Sequence, residues 1–524
     1  MTRLRTALTC SILALTTTLA ACGGSSTSSD PAAASSGKPD EAKNAAATLR
    51  VVVPSISQFL GQPFQAASPP RAESTSAIFD ALTRVDNTGT PVPWLAKSWT
   101  RVNDTTWQFS LRTDVKFSNG EPVDADAVVA TVTALVGTAG TGSVAKLYNP
   151  SVSGAAKIDD ATVTITTSKP DGVLPQEIAA LYIVPPKYLA EVGMDGFAKA
   201  PIGTGPYTVT SISSTEITLK ANPTSWRKPI IGNLQIKQVA DQTARTNAIL
   251  SGAADINTLL DLDQIDNVKA KNFTVFPLKN QAVFLLQFVA STGGSKPLDN
   301  PLVRQAINYA VDKEAVIKSV FQGLTTVASQ GTAPGTTGHD ADLQPYPYDP
   351  AKAKDLLTQA GYPDGFELSG VYSLGAFAGD KDFLAQAQSD LGKVGIKLTM
   401  KQETTANMTS YLLKGQWPAD MFTTAYLTAP TQDATKAYLN NSCLRKPGSW
   451  CDQTQADLIS KALTQTVGTP ERAETLKALA KAIHDNPPAL FFNNGLKVIA
   501  YSSDVAGYTI DSSTNTSWET VYFK

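Results

Sequence analysis

Residues 1–47 constrain the fold more than any other feature, because they separate a long N-terminal segment from the part of the chain that can form a core. Arg3 and Arg5 precede a run from Ala7 to Leu19 that is apolar or small and carries no charge. This order is typical of an export signal, and the run is short for a membrane-spanning helix. Gly, Ser, Pro and Ala dominate the residues that follow, which predicts a flexible segment.

Cys22 lies between these two segments, at the end of the sequence LAAC (residues 19–22). The four residues resemble the lipobox of bacterial lipoproteins. The resemblance implies that residues 1–21 are a signal peptide that is cleaved, that a diacylglycerol is attached to the Cys22 sulfur, and that residues 22–47 are a tether. Since two or more acyl chains anchor a protein stably, we expect Cys22 to hold the protein at a membrane. The alternative is an ordinary cleaved signal followed by a cysteine that occurs there by chance.

The rest of the chain has the size and composition of a large water-soluble body. Of the 524 residues, 42% are hydrophobic, which is sufficient for a large core and suggests more than one lobe. The chain has 44 basic and 46 acidic residues, and Arg3 and Arg5 are lost with the signal peptide, so the mature net charge is about −4. This charge does not favour a nucleic-acid partner. No second apolar run is long enough to cross a bilayer, so we expect the body outside the cytoplasmic membrane.

Cys443 and Cys451 are the two cysteines expected in the folded body, because Cys10 lies in the signal peptide and Cys22 is assigned to the lipid. Two nearby cysteines without metal-binding partners usually pair in an oxidising compartment. We therefore expect a disulfide that fixes a local loop, with two free thiols as the alternative.

Local patterns in the body predict strands and helices in alternation. Residues 48–55 form a β-branched run that is typical of a buried strand. Trp107, Phe109 and Leu111 alternate with polar residues, as in a strand with one buried face. Asp124 precedes a helical apolar pattern and is the predicted N-cap. The elements follow one another without a repeat period, so the body is α/β or α+β.

Five segments of the body share their order and spacing with one protein family, namely residues 111–129, 201–209, 245–256, 303–317 and 348–365. They resemble the peptide-type extracytoplasmic solute-binding proteins of ABC importers, family 5, which also includes nickel and glycan binders. We interpret the segments as folding signals rather than ligand contacts. Gly203 and Gly205 are expected to adopt backbone conformations that other residues avoid. Asp349 is expected to cap a helix that Gly361 ends.

This resemblance implies an α/β fold of the periplasmic-binding-protein type, with two lobes, an extra subdomain and a ligand cleft between the lobes. The predicted boundaries are 48–75, 190–280 and 490–524 for lobe I, 76–189 for the extra subdomain of lobe I, and 281–489 for lobe II. The apolar segments 276–288 and 488–501 match the two crossings between the lobes in position and pattern. Phe492 and Asn493 would then lie near the hinge, where they either contact the ligand or belong to a packed strand.

The charged groups that hold the two ends of a dipeptide in members of this family are missing at the corresponding positions. The position of the aspartate that binds the amine falls on Thr431, and that of the arginine that binds the carboxylate falls near Leu374. Because a buried charged terminus without its partner is costly, a tight dipeptide site is disfavoured. Asp433, two residues after Thr431, is the best candidate for an amine contact.

Aromatic residues in the same part of the chain are expected to contact the ligand instead. Tyr372, Phe377, Trp417 and Tyr426 are interpreted as an aromatic wall, although each of them alone is more often a core residue. We therefore expect a longer peptide, held mainly by backbone hydrogen bonds and aromatic contacts. An oligosaccharide or another neutral solute is the alternative.

The sequence does not favour an enzyme. It contains no Walker A loop, no GxSxG motif and no cluster of metal ligands, and its two histidines, His339 and His484, are far apart. We expect no catalytic residue, no metal and no cofactor.

The resemblance implies a lipid-anchored, monomeric receptor on the extracytoplasmic face of the bacterial cell membrane. This receptor would capture an oligopeptide-like solute by lobe closure and deliver it to an ABC permease. A sensory or chaperone-like lipoprotein without a role in transport is the alternative.

Replacing Cys22 with serine (Cys22→Ser) removes the sulfur that would carry the lipid. The variant is expected either to leave the membrane for the medium or to accumulate as an uncleaved precursor. Membrane fractionation followed by immunoblotting measures both outcomes. Membrane attachment that is unchanged by the substitution would contradict the lipid anchor.

Overall fold

The computed structural model describes residues 40–56, 62–64, 72–137, 143, 145–146, 149–289, 296–373, 377–445, 448–511 and 513–524. These residues belong to one compact unit. The predicted signal peptide, Cys22 and Leu374 lie outside the described residues. None of the helices in the described ranges is long and apolar enough to cross a membrane.

Helices and strands alternate along most of the described chain. The helices are α1 (Glu41–Ala46), α2 (Ala72–Thr75), α3 (Ala125–Val136), α4 (Leu174–Glu177), α5 (Pro186–Lys199), α6 (Gln242–Leu250), α7 (Ile265–Ala270), α8 (Lys296–Asp299), α9 (Pro301–Ala310), α10 (Lys313–Val320), α11 (Pro350–Gln359), α12 (Asp380–Lys393), α13 (Thr405–Lys414), α14 (Ala434–Leu439), α15 (Gln453–Thr464) and α16 (Pro470–Asp485). Short 3₁₀ helices cover Ile178–Ala180, Leu262–Gln264 and Trp518–Thr520. The strands are β1 (Thr48–Val53), β2 (Thr83–Val85), β3 (Pro91–Pro93), β4 (Ala96–Asn103), β5 (Thr106–Leu111), β6 (Val152–Asp159), β7 (Thr162–Thr167), β8 (Tyr207–Ile212), β9 (Glu216–Ala221), β10 (Asn233–Gln238), β11 (Ile256–Asn257), β12 (Thr274–Phe288), β13 (Phe366–Tyr372), β14 (Ile396–Gln402), β15 (Met421–Leu427), β16 (Ala489–Tyr501), β17 (Val505–Ala506) and β18 (Tyr522–Phe523).

Within the described residues, ten strands form one mixed sheet in the order β14-β13-β15-β12-β16-β11-β1-β10-β9-β8. β1 pairs in parallel with β10 and β11, and β13 pairs in parallel with β14 and β15. We call β1 and β8–β11 the first half of the sheet, and β13–β15 the second half. The long strands β12 and β16 lie between the halves and pair antiparallel, from Thr274 with Tyr501 to Gln287 with Ala489.

We call β12 and β16 the shared strands, because β16 pairs with β11 of the first half and β12 pairs with β15 of the second half. They contain nearly all of the segments 276–288 and 488–501 that the sequence analysis interprets as crossings. Their pairing is irregular between Lys279 and Val283, where Asn280 has a φ of 65°. The hydrogen-bond ladder is therefore interrupted near its middle.

A smaller antiparallel sheet, β4-β5-β7-β6, lies within residues 76–189, the range predicted as an extra subdomain. Trp107, Phe109 and Leu111 on β5 are buried, and the residues between them are partly exposed. The Asp124 carboxylate accepts a hydrogen bond from the Ala127 N–H at 3.0 Å and caps α3. The predicted alternation and the predicted helix cap are both confirmed.

Gly203 and Gly205 are needed for a different reason from the one predicted. Neither has a positive φ, so the expectation of an unusual backbone conformation is wrong. Their backbone packs directly against residues 77–78, and the Gly205 N–H donates to the Ile78 carbonyl oxygen at 2.9 Å. A Cβ atom at either glycine would overlap a carbonyl oxygen of this segment. Close approach of two backbones therefore explains both glycines.

Folded structure begins within residues 22–47, the range predicted as a flexible tether. α1 lies within the range 22–47, and its residue Asn44 is fully buried. The Asn44 side chain donates to the Phe523 carbonyl oxygen at 2.9 Å and accepts from the Phe523 N–H at 2.6 Å. These bonds hold α1 against the C-terminal end of the chain, so the expected tether is too long at its C-terminal end.

Cys443 and Cys451 form the expected disulfide, and their Cα atoms are 4.7 Å apart. The two cysteines are separated by 8 positions in the loop between α14 and α15. The disulfide prediction is confirmed, and the bond constrains a local loop.

A buried ion pair joins α14 to α16. The Asp433 carboxylate lies 2.8 Å from Nη2 of Arg472, and both side chains are 1% exposed. Asp433 is also the N-cap of α14, because its Oδ1 accepts a hydrogen bond from the Thr435 N–H at 2.9 Å. Both carboxylate oxygens are therefore used within the fold.

Replacing Asp433 with asparagine would leave the Arg472 charge buried without a counter-charge. We expect the Asp433→Asn variant to lose about 3 kcal/mol of unfolding free energy, because removing one partner of a buried ion pair is strongly destabilising. Denaturation by urea measures the loss. The matched control is Asp342→Asn, since the side chains of Asp342 and its partner Lys477 are 81% and 63% exposed. Equal stability of the two variants would refute the structural role of Asp433.

Candidate functional site

Segments that are far apart along the chain meet around the loop that leads into α14. We name this region the junction and define it by residues 86–89, 428–437, 511 and 513–516. The Thr337 hydroxyl donates to the Gly89 carbonyl oxygen at 3.1 Å, and the Thr337 N–H donates to the Gln432 carbonyl oxygen at 2.9 Å. The Ser513 hydroxyl donates to the Pro430 carbonyl oxygen at 2.8 Å. These contacts connect the regions between which the sequence analysis predicts a cleft.

The predicted extra subdomain also contacts the second half through backbone groups. The Gly172 N–H donates to the Leu463 carbonyl oxygen at 2.9 Å, and the Gly172 carbonyl oxygen accepts from the Val467 N–H at 3.2 Å. A Cβ atom at Gly172 would overlap the backbone of Gln465. Only glycine permits this contact without a shift of the backbone.

A buried ion pair crosses the same boundary. Lys436 in the junction pairs with Glu177 of α4, and the two side chains are 7% and 3% exposed. Burial raises the pKa of Glu177 to about 7, although the charge of Lys436 lowers it in part. The charge of this carboxyl group therefore changes near neutral pH.

Thr431 and Asp433 both lie in the junction, and both are engaged within the fold. Thr431 is 1% exposed, and its hydroxyl donates to the Thr428 carbonyl oxygen at 3.2 Å. The Asp433 carboxylate is held by Arg472 and by the N-terminus of α14. The structure thus gives Asp433 a structural role and does not support its assignment as the contact for a ligand amine.

Phe492 and Asn493 differ in their surroundings although they are neighbours on β16. Phe492 is fully buried and stacks on Phe383 with ring centroids 3.9 Å apart, so it belongs to the core. Asn493 is also fully buried, and neither Oδ1 nor Nδ2 of its side chain has a hydrogen-bond partner among the described residues. Buried amides without partners are rare, so Asn493 remains a candidate ligand contact.

The structure does not bring the four predicted aromatic residues into one wall. Tyr372 and Phe377 pack against the core cluster that contains Phe492, whereas Trp417 packs on a separate cluster with Phe422. Tyr426 lies in a third cluster, and its hydroxyl donates to Oε1 of Gln287 at 2.6 Å. The interpretation as one wall is therefore wrong, because the four rings pack in three separate clusters. Phe377 and Tyr426 are buried, and Tyr372 and Trp417 are partly buried against their clusters.

A cluster of polar residues around Asp80 was missed in the sequence analysis. Asp80 is buried and lies 2.8 Å from Nη2 of Arg227. Its carboxylate also accepts hydrogen bonds from Trp94 Nε1 at 2.6 Å, Thr204 Oγ1 at 2.7 Å and Trp226 Nε1 at 3.2 Å. Burial raises the pKa of Asp80, but the charge of Arg227 and these hydrogen bonds outweigh it, so that the pKa lies below its usual value.

Arg84 extends this cluster toward the junction. Its guanidinium carbon lies 3.6 Å from the centroid of the Trp94 ring, which is a close cation–π contact. Arg84 is on β2, two residues before Asp86, and is partly buried between the buried residues Thr83 and Val85. The sequence offered one indication of this cluster, namely an arginine between two residues that are buried on a strand. Thr204, Trp226 and Arg227 each lie more than a hundred residues from Asp80 along the chain, so no local pattern identifies them as its partners.

In the described ranges, no group of three or more His, Cys, Asp and Glu side chains is arranged to hold a metal ion. The polar groups described so far are instead hydroxyls and backbone carbonyl groups in the junction and, outside its segments, the buried amide of Asn493 and the guanidinium of Arg84. Groups of this kind recognise polar and charged organic solutes by hydrogen bonding.

Comparison with curated proteins identifies relatives with named ligands. The chain is 31% identical over 312 residues to the glutathione-binding protein GsiB of Salmonella typhimurium, covering 58% of this chain and 59% of the relative. It is 29% identical over 367 residues to the nickel-binding periplasmic protein of Escherichia coli, covering 65% of this chain and 68% of the relative. The match thus spans about three fifths of the glutathione-binding relative.

Solved structures share the fold over nearly the whole chain. HbpA2 of Haemophilus parasuis matches with a TM-score of 0.78 at 22% identity, over 91% of this chain and 100% of that chain. DppA of Helicobacter pylori, solved with the peptide STSA, matches with a TM-score of 0.75 at 21% identity, over 92% and 99%. AgaA of A. tumefaciens R10, solved with agropinic acid, matches with a TM-score of 0.73 at 26% identity, over 91% and 99%. The expected periplasmic-binding-protein fold is confirmed.

The profile of the family described as "Bacterial extracellular solute-binding proteins, family 5 Middle" matches residues 90–447. This range includes most of the predicted extra subdomain (76–189), β12 and the junction residues 428–437. It is a family of binding proteins, which agrees with the expectation that the chain is not an enzyme. The chain belongs to the bacterial extracellular solute-binding proteins of family 5.

Proposed function

We propose that this protein is the lipid-anchored solute receptor of an ABC importer, and that it captures an oligopeptide-like ligand by closing two lobes and delivers it to the permease. Membership of family 5 supports the receptor role. The resemblance of residues 19–22 to a lipobox supports the anchor and the extracytoplasmic location. The lobes are those predicted from the sequence, with lobe I extended to include α1.

The arrangement of the shared strands is the observation that carries this proposal. Two antiparallel strands connect the halves, and their ladder is interrupted between Lys279 and Val283. An interruption at this place provides a hinge, because backbone dihedrals can change there without breaking the pairing within either half. The contacts of the junction are then the contacts of the closed receptor.

A peptide-like ligand is favoured by Asn493 together with the relatives. A buried side-chain amide offers two donors and an acceptor, which matches the N–H and C=O groups of a peptide bond. Glutathione, named for one relative, is a tripeptide, and the DppA structure contains a peptide. Because the AgaA structure contains agropinic acid, other organic solutes are the alternative class of ligand.

Binding and uptake measurements test the proposed function together. Calorimetry with the purified mature protein should detect longer peptides more strongly than simple dipeptides, because the clamps for both dipeptide ends are absent from their counted positions. Deleting the gene should abolish uptake of the peptide that binds, and the wild-type gene should restore it. Binding of that peptide without any loss of uptake in the deletion strain would favour a sensory or chaperone role.

The Glu177–Lys436 pair predicts a pH dependence of stability. Because burial raises the pKa of Glu177 from 4.5 to about 7, the folded protein binds more protons than the unfolded chain between these values. The unfolding free energy should therefore fall as the pH rises from about 4.5 to about 7, and this decrease should be absent in Glu177→Gln. Denaturation curves across this pH range measure the difference between the two proteins. Glu367→Gln is the control, since Glu367 is exposed and has a lowered pKa. If Glu177→Gln retains the full decrease of unfolding free energy with pH, Glu177 is ruled out as its source.

A further inference from the structure

The guanidinium of Arg84 has no hydrogen-bond acceptor among the described residues, although the side chain is partly buried. A guanidinium carries five N–H donors in one plane. One face of this plane lies on the Trp94 ring, with the central carbon 3.6 Å from the ring centroid. The N–H groups along the edge of the plane are left to bind a group outside the described fold.

The carboxylates around Arg84 do not fill this role, because each is bonded elsewhere. Asp80 is held by Arg227 and by the two tryptophan N–H groups described above. Asp511 accepts hydrogen bonds from the backbone N–H and the side-chain amide of Asn515, at 2.8 and 3.1 Å. Glu519 pairs with Arg227 at 2.9 Å. No acidic side chain in the described chain lies within ion-pair distance of Arg84.

Arg84 retains its positive charge at neutral pH. Burial and the nearby charge of Arg227 lower its pKa to about 10, while the charges of Asp80, Asp511 and Glu519 act in the opposite direction. A pKa of about 10 leaves the guanidinium protonated at pH 7. The site therefore presents a fixed cation whose hydrogen-bonding edge is unused.

The position of Arg84 connects it to the junction on two sides. β2 continues into residues 86–89, whose Gly89 carbonyl oxygen accepts from Thr337. Asp511, whose charge acts on Arg84, precedes Ser513, whose hydroxyl contacts Pro430. Thr514 is 5% exposed, and its hydroxyl has no hydrogen-bond partner among the described residues. Arg84 and Thr514 thus both lack hydrogen-bond partners among the described residues.

We propose that Arg84 binds an anionic group of the captured solute, and that this group is a carboxylate held in a bidentate manner by the guanidinium edge. This inference rests on the proposed receptor function and names the chemical class of its ligand. A carboxylate matches the spacing of two guanidinium N–H groups, and the Trp94 ring fixes the plane in which it must approach. Arg84 would thus supply, from the first half, the carboxylate contact that is missing near Leu374.

Titrations with peptide acids and peptide amides test whether Arg84 contacts a carboxylate of the solute. Tetra-alanine with a free C-terminal carboxylate, tetra-alanine with a C-terminal amide, glutathione and the neutral maltotetraose are titrated into the mature protein by calorimetry. The free acid should bind roughly tenfold to a hundredfold more tightly than the amide, as expected for hydrogen bonds to a charged group. Arg84→Gln should remove this difference, and Arg84→Lys should restore part of it.

Arg112→Gln is the matched control, because Arg112 also lies over a tryptophan, 4.5 Å from the Trp226 ring centroid, but pairs with Asp114 at 2.7 Å. It should keep the preference for the acid. Thermal melting of each variant shows whether it is folded.

The remaining outcomes overturn the inference in distinguishable ways. Equal binding of acid and amide, or an acid preference that Arg84→Gln retains, would exclude a carboxylate contact at Arg84 while leaving the receptor function intact. Binding of maltotetraose alone would replace the anionic ligand with a neutral one. Absence of binding by every one of these solutes would count against both the peptide receptor and the carboxylate contact.

Discussion

The antiparallel pairing of β12 with β16 is the interaction on which the arrangement of the whole molecule depends. These strands carry the hydrogen bonds that join the first half of the sheet to the second, through β11 on one side and β15 on the other. A backbone ladder of this kind depends on register rather than on particular side chains. Where the register breaks, between Lys279 and Val283, each half keeps its own pairing. The same two strands thus provide both the connection and the place where it can bend.

Each side of the junction is made rigid by a buried ion pair of its own. On one side, Asp80 gathers groups from three separate segments, including Trp94, on which Arg84 lies. In the second half, Asp433 and Arg472 fix the start of α14. Buried ion pairs tolerate little displacement, because a lost partner leaves a charge in a medium of low polarity. The side chains available to a solute are therefore held in place before the solute arrives.

The sequence alone predicted the elements whose cause is local. The alternation of Trp107, Phe109 and Leu111 on β5 and the Asp349 cap of α11, which accepts from the Lys352 N–H at 2.8 Å, both depend on neighbouring residues. The site was predicted poorly, because its groups are joined by contacts across the chain. Counting along the sequence identified Asp433 but gave no indication of Arg472, which occupies its carboxylate. The aromatic residues were close in sequence, yet packing distributed them among three parts of the core.

The hydrogen bonds between Asn44 and Phe523 have a practical consequence for labelling. Lys43 adds another bond, from its Nζ to the Lys524 carbonyl oxygen at 2.8 Å, so the two ends of the described chain leave the body side by side. A fluorescent domain fused after Lys524 would emerge next to α1, and its signal would report on this end of the body. A probe intended to follow the distance between the halves belongs elsewhere, on an exposed residue of the second half such as Lys397.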